Sequence, residues 1–138
     1  MEDNEEILNY LLNLFSSFYK VETAENGELG YSKAIEIVPD LILTDYIMPK
    51  MDGMQLCRKI KETSVLNHIP IIIFSAQSDL ETQIKGIDVG AFDFISKPFN
   101  KDLLLLKVKT MLQSREEYKN YLKKQFLEQP ASLFSETP

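Results

Sequence analysis

Polar side chains follow three apolar runs of the sequence. These runs and the residues after them are Leu41–Thr44 with Asp45, Ile71–Phe74 with Ser75, and Phe92–Ile95 with Ser96 and Lys97. An acidic pair, Glu2 and Asp3, stands just before the first helical pattern, where a preceding strand would end. Since the carboxyl ends of parallel strands meet at one edge of a sheet, we expect carboxylates, a hydroxyl and an ammonium group to converge there.

This group of side chains favours phosphoryl chemistry. Mg²⁺ binds one or two carboxylates and usually keeps several waters, and it would relieve the repulsion between neighbouring carboxylates. A carboxylate is also able to attack phosphorus and form an aspartyl-phosphate. A lysine and a metal ion would then neutralise the phosphoryl oxygens, and a hydroxyl would donate a hydrogen bond to one of them. Each residue alone is more often a cap, a turn or a surface residue, so the prediction depends on the joint pattern.

The elements that must position these residues alternate along the chain. Apolar spacing predicts helices over 7–19, 28–37, 54–62, 79–89 and 100–128. Short apolar runs predict strands at Val21–Ala24, Leu41–Thr44, Ile71–Phe74 and Phe92–Ser96. Strands that alternate with helices predict parallel βαβ units, and therefore an α/β fold with a doubly wound parallel sheet.

Composition and charge exclude several classes of protein. The 138 residues favour one domain. The single cysteine, Cys57, excludes a disulfide framework and a cysteine-rich zinc site, and it fits a reducing compartment. The start MEDNEE lacks the apolar segment of a secretory signal, and no apolar run approaches a membrane span. Residues 1–100 carry 8 Lys and Arg against 16 Asp and Glu, which argues against direct binding of nucleic acid.

Three motifs, in order, identify a family resemblance. The segments LILTDYIMPKMDGMQL, IPIIIFSA and GAFDFISKPF resemble the receiver domain of bacterial two-component response regulators, over roughly residues 2–113. The resemblance implies a flavodoxin-like sheet with strand order 2-1-3-4-5. It also implies a phosphorelay module that takes a phosphoryl group from a histidine kinase and switches residues 79–113 to control an output domain.

The resemblance also assigns roles at the site. Asp45 matches the phosphoacceptor of the family. Glu2 and Asp3 match its acidic pair, and with Asp45 and the backbone carbonyl of Ile47 they would hold Mg²⁺. Ser75 matches the switch hydroxyl of the family.

Further positions complete the match. Lys97 matches the lysine that pairs with the phosphoryl group, and the Lys97–Pro98 peptide bond is cis in the family. Phe94 matches an aromatic switch, for which many relatives have tyrosine. Gln77 flanks the site in the family pattern and is expected to tune the lifetime of the aspartyl-phosphate.

The sequence departs from the family pattern at its start. Receivers place an apolar strand of about five residues before the acidic pair, and here only Met1 precedes Glu2. We therefore expect the first strand to be missing or truncated, in a fragment or a chain that begins at an internal methionine. Three outcomes are available. Val21–Ala24 could slide over to pair with Leu41–Thr44, or a segment of a partner chain could fill the gap, for which the tail Ala131–Ser135 is a weak candidate. Alternatively, helix 7–19 is poorly docked.

A second departure is the long last helix. The sequence predicts a receiver over 1–113 and an extended helix and linker over 114–138, directed towards an effector domain. Partial heptad spacing in this helix indicates either a solvated helix or one that dimerises or passes a signal. The linker resembles that of hybrid two-component proteins with a helix-turn-helix output.

The expected protein is a cytoplasmic phosphoprotein of transcription regulation. Its partners would be a histidine kinase, an output domain and, in one interpretation, a second copy of the chain. We expect this domain to bind neither a membrane nor nucleic acid directly. We also expect it to turn over no external substrate. One alternative is a receiver-like interaction scaffold that is not phosphorylated. A second is an aspartyl phosphohydrolase, which would want a second acid where Ile47 stands. A flavin site would need a phosphate-binding loop where MEDNEE is acidic.

Overall fold

The structure, a computed structural model, describes residues 1–76, 80–88, 90–91 and 93–128. The helices are α1 (Glu5–Phe15), α2 (Gly27–Ile37), α3 (Gly53–Glu62), α4 (Leu80–Asp88) and α5 (Lys101–Glu128). The strands are β1 (Ile42–Asp45), β2 (Ile71–Ser75) and β3 (Asp93–Ser96). Helices and strands alternate from α2 onwards, whereas α1 and α2 follow each other with no strand between them. The chain divides into two compact units, Met1–Lys101 and Asp102–Pro138.

The three strands form one parallel sheet in the order β1-β2-β3. Every residue of β2 is buried, as expected for a central strand that is covered on both faces. The register places Asp45 beside Phe74 and Phe74 beside Ile95. The architecture confirms the predicted flavodoxin-like α/β fold with a parallel sheet.

The strand predicted at Val21–Ala24 is wrong: this segment forms no strand in the structure. The Glu2 amide donates a backbone hydrogen bond to the Ala24 carbonyl of this segment at 3.0 Å. On the other side, the Met1 amine donates to the Leu43 carbonyl, and the Asp45 amide donates to the Met1 carbonyl at 2.9 Å. Residues Met1 and Glu2 thus lie where the first strand was expected.

The structure bears on two of the three outcomes expected for the missing first strand. Sliding of Val21–Ala24 onto β1 is wrong, because Met1 already bonds to that edge of β1. Poor docking of α1 is not seen at Leu11 and Phe15, which are both buried. The tail Ala131–Ser135 lies outside the described residues, so pairing with a partner chain stays a prediction.

Capping residues set where the helices begin. The Asn4 side chain accepts hydrogen bonds from the amides of Glu6 and Ile7, so α1 begins at Glu5. The Asn26 side chain likewise accepts a hydrogen bond from the Leu29 amide, so this asparagine caps α2. Helix α1 was predicted to reach residue 19 but ends at Phe15, because Ser16 and Ser17 compete for backbone hydrogen bonds.

One side of the sheet carries the main core of the first unit. Its buried members come from strands β1 and β2, from helices α2 and α3, and from loops: Ala34, Ile42, Met48, Leu56, Cys57, Ile60, Leu66, Ile69, Ile71, Ile73 and Ala91. The side chains of Met1, Tyr46 and Phe94 are partly buried and pack against this cluster. The core therefore fixes the ends of the strands that lead into the candidate site.

Helix α5 carries both buried and exposed apolar residues. Leu104, Val108 and Met111 are buried, whereas Tyr118 and Leu122 are largely exposed. The apolar spacing predicted for this helix therefore has a buried part and an exposed part. Among the described residues, no helix has both the length and the apolar character that crossing a membrane requires.

Candidate functional site

Asp45 is the last residue of β1 and lies at the carboxyl end of the sheet. Its side chain is mostly buried, and its Oδ2 lies 3.1 Å from Lys97 Nζ. Tight packing fixes the backbone here: a Cβ atom at Gly53 would lie 2.4 Å from the Asp45 carbonyl oxygen. The Gly53 amide also donates to the Tyr46 carbonyl at 2.8 Å. The start of α3 therefore holds the chain directly after Asp45 in place.

The acidic pair lies beside Asp45. One carboxylate oxygen from each of Glu2, Asp3 and Asp45 lies within 4.8 Å of the other two. Glu2 and Asp45 are buried and Asp3 is exposed. The backbone bonds of Met1 hold the pair against β1, and Glu2 Oε1 accepts from the Asn4 amide at 3.1 Å. The two residues are therefore positioned by the segment that replaces the first strand.

The surroundings of the Glu2 carboxylate disfavour its negative charge, so a nearby cation would stabilise it. Burial, with the nearby negative charge of Asp45, raises the pKa of Glu2 to about 7, and the hydrogen bond from Asn4 opposes the rise. Glu2 Oε2 lies 3.5 Å from Lys97 Nζ, which is within ion-pair range, but it accepts no hydrogen bond from the described residues. One lysine is thus shared by two buried carboxylates.

The donor set fits a hard divalent cation. Three carboxylates that converge at one point offer the oxygen ligands that Mg²⁺ prefers, and an acceptor that lacks a hydrogen bond is available at Glu2 Oε2. The fit follows from the types of atom and their proximity. Glu2, Asp3 and Asp45 are therefore the residues that would hold the metal.

The other predicted site residues have the following places. Ser75 ends β2, is buried, and lies beside Ser96 in the register. Ile47 lies in the loop after Asp45, and its side chain is 62% exposed. The Lys97–Pro98 peptide bond is cis. Gln77 lies outside the described residues.

Phe94 lies between Tyr46 and helix α4. Its ring centroid is 6.5 Å from that of Tyr46. A Cβ atom at Gly86 would lie 2.7 Å from the Phe94 ring, so the ring packs where α4 has no side chain. The half-buried ring therefore occupies a position that a side chain at residue 86 would obstruct.

Sequence reasoning missed an aromatic contact of Lys97. The lysine Nζ lies 5.2 Å from the centroid of the Phe74 ring, within the range of a cation–π interaction. Phe99 packs edge-on against Phe74, and Tyr10 of α1 packs against Phe99, with centroid distances of 6.0 and 6.1 Å. The available signal was the aromatic residue that ends the otherwise aliphatic run directly before Ser75.

Comparison with known protein families gives a match along most of the chain. The family model of the response regulator receiver domain matches residues 1–109. The chain belongs to the response regulator receiver domain family. The match begins at Met1, so it includes the acidic pair as well as Asp45, Ser75 and Lys97 of this receiver domain.

Similar sequences occur in longer proteins. Histidine kinase P4 of Formosa agariphila is 37% identical over 119 residues, which cover 86% of this chain and 9% of that protein. Response regulator ArlR of Staphylococcus aureus is 35% identical over 118 residues, which cover 85% of this chain and 52% of ArlR. The receiver domain therefore spans only a part of each of these relatives.

Solved structures with the same fold include other receivers. The receiver domain of a signal transduction histidine kinase from Syntrophus aciditrophicus has a TM-score of 0.76 and 33% identity, and the match covers 83% of this chain and 87% of that one. A receiver domain protein of Methanospirillum hungatei has a TM-score of 0.78 and 27% identity, with coverage of 85% and 93%. These similarities agree with the family assignment.

Proposed function

We propose that this receiver domain accepts a phosphoryl group on Asp45 from the phosphohistidine of a histidine kinase. The observation that carries the proposal is the meeting of Lys97 Nζ with the Asp45 carboxylate at 3.1 Å, beside the carboxylates of Glu2 and Asp3. A carboxylate oxygen of Asp45 attacks the phosphorus, the phosphorus–nitrogen bond of the donor breaks, and the imidazole leaves with a proton from solvent. The product is an aspartyl-phosphate.

Mg²⁺ supplies charge neutralisation for this transfer when it is bound. Glu2, Asp3 and Asp45 would hold it, and the backbone carbonyl of Ile47 is the fourth ligand that we assign. The burial of Glu2 supports this assignment, because a buried carboxylate with a raised pKa gains most from a nearby cation.

The side chains of Lys97 and Ser75 stabilise the transferred group. Lys97 exchanges its contact with Asp45 for an ion pair with a phosphoryl oxygen, and Ser75 donates a hydrogen bond to another. Both residues follow or end strands at the same edge of the sheet as Asp45, which supports their part in one site.

The response to phosphorylation involves Phe94. When Ser75 moves towards the phosphoryl group, the Phe94 ring turns into the space that the hydroxyl leaves, and the surface of residues 79–113 changes. The change shifts an equilibrium that exists before phosphorylation. The half-buried Phe94 ring packs against Gly86 of α4, which supports the proposal that a turn of this ring changes the surface at α4.

The partners are a histidine kinase as donor and an output domain that controls transcription, and a homodimer is a further form that the output may require. We assign residues 1–113 to the receiver and 114–138 to an extended helix and linker towards that output. The domain acts in the cytoplasm, where its single cysteine fits a reducing compartment. It modifies itself and turns over no external substrate.

Intact mass spectrometry after incubation with acetyl phosphate tests the function. The chain should gain the mass of one phosphoryl group with Mg²⁺ and none with a chelator. Asp45→Asn should gain none, because an amide is no nucleophile for phosphorus. Asp52→Asn makes the same change from acid to amide at the N-cap of α3, where asparagine also caps well, so it is the matched control and should keep the gain. A chain that gains no mass under any condition would favour the alternative of an unphosphorylated scaffold.

A further inference from the structure

We propose that Phe74 is a positioning residue for phosphoryl transfer, because its ring holds the Lys97 ammonium over the Asp45 carboxylate. The inference rests on the proposed function of Asp45 and Lys97. It concerns a side chain whose position in the middle strand would otherwise be explained by core packing alone.

The register of the sheet brings the three residues to one face. Asp45 and Phe74 are partners in the pairing of β1 with β2, and Phe74 and Ile95 are partners in the pairing of β2 with β3. Side chains of paired residues point to the same face, and so do residues two apart in an extended chain. The Lys97 amide still donates to the Ser75 carbonyl at 2.7 Å, so the extended pairing continues past Ile95. Lys97 therefore reaches over the ring from the far side towards Asp45.

The ammonium of Lys97 has a ring on one side and carboxylates on another. Its Nζ lies 5.2 Å from the centroid of Phe74 and 3.1 Å from Asp45 Oδ2, and the Lys97 side chain is only 21% exposed. The negative face of an aromatic ring attracts a cation, most strongly where water is excluded. An aliphatic residue at position 74 would fill space without this attraction. The ring therefore limits the places that the ammonium occupies to those near the reacting oxygens.

The ring itself is held by other aromatic residues. Phe74 is 1% exposed, and the Phe99 ring meets it at an interplanar angle of 74°. The Tyr10 ring of α1 packs in turn against the Phe99 ring. A ring that is fixed in this way presents the same face to Lys97 before and during the transfer.

Fluorinated phenylalanines at position 74 separate the attraction from packing. One, two and three ring fluorines weaken the negative face step by step and change the volume little. With acetyl phosphate and Mg²⁺, the rate of phosphoryl uptake should fall with each fluorine, by about twofold to thirtyfold across the series. The same series at Phe15, a buried ring of α1, is the control and should leave the rate unchanged.

A second measurement reads the contact directly. The Phe74 ring should move the NMR signals of the Lys97 side-chain methylene protons nearest Nζ upfield, and Phe74→Leu should abolish that displacement. A flat Phe74 series in a chain that is phosphorylated, or equal declines at Phe74 and Phe15, would overturn the inference and leave the proposed function intact. Methylene signals of Lys97 at their ordinary positions would also overturn the inference. If the unsubstituted chain takes up no phosphoryl group, it is the proposed function that fails.

Discussion

Substitution of Gly53 by alanine should both destabilise the fold and slow phosphoryl uptake. The added Cβ would lie 2.4 Å from the Asp45 carbonyl oxygen and 3.1 Å from the Tyr46 Cα, and both obstacles are backbone atoms. Because comfortable contacts are about 3.5–4.0 Å, the start of α3 and the chain after Asp45 must separate by roughly 1 Å. Overpacking of this kind costs about 1–3 kcal/mol in the free energy of unfolding.

The effect on the rate follows from the same displacement. A shift of roughly 1 Å in a reacting group is able to slow a reaction by about a hundredfold, so we expect uptake of the phosphoryl group to fall by a factor between about ten and one hundred. Urea unfolding gives the stability, and intact mass against time gives the rate. Ser32→Ala, on the exposed face of α2, is the control, and its stability should stay within about 0.5 kcal/mol of the original. A Gly53→Ala chain with unchanged stability and rate would refute the reasoning.

Three further predictions address other parts of the domain. Gly86→Ala should displace the Phe94 ring, since the new Cβ would lie 2.7 Å from it, and the ¹⁹F NMR signal of 4-fluorophenylalanine at position 94 should shift; an unmoved signal would contradict the packing. Burial raises the pKa of Cys57 from 9.0 to about 11, so the unfolded chain loses the thiol proton first and the free energy of unfolding should fall as the pH rises from about 9 to 11. Urea unfolding of Cys57→Ala should lack this part of the slope, and equal slopes would show the thiol to be accessible. Addition of five apolar residues before Met1 should raise the melting temperature. The Met1 amine is buried, and burial lowers its pKa to about 6; in the longer chain an uncharged peptide amide takes the place of this amine. A lower or unchanged melting temperature would refute this.

Local sequence patterns predicted the elements that are held by strong burial. Residues 71–75 form a fully buried strand, and α3 (Gly53–Glu62) agrees with the helix predicted over 54–62; both features follow from residue types along a short stretch. The Asp45, Ser75 and Lys97 positions could be predicted for the same reason, because each lies within two residues of the end of an apolar run.

Features that depend on separate parts of the chain could not be predicted in this way. Val21–Ala24 has the composition of a strand, but a strand also needs a ladder of hydrogen bonds to a neighbouring segment, and the described bond from Glu2 to Ala24 does not make one. The contact of Phe74 with Lys97 depends on the register between two strands, which no local pattern contains.

Borohydride reduction after phosphorylation tests the central claim most directly. Borohydride converts an aspartyl-phosphate to homoserine, and peptide mass spectrometry then locates the converted residue. The account predicts homoserine at position 45 and at no other aspartate, only when the chain has been incubated with both Mg²⁺ and acetyl phosphate. Homoserine at Asp3 or Asp52 with an unconverted Asp45 would contradict it.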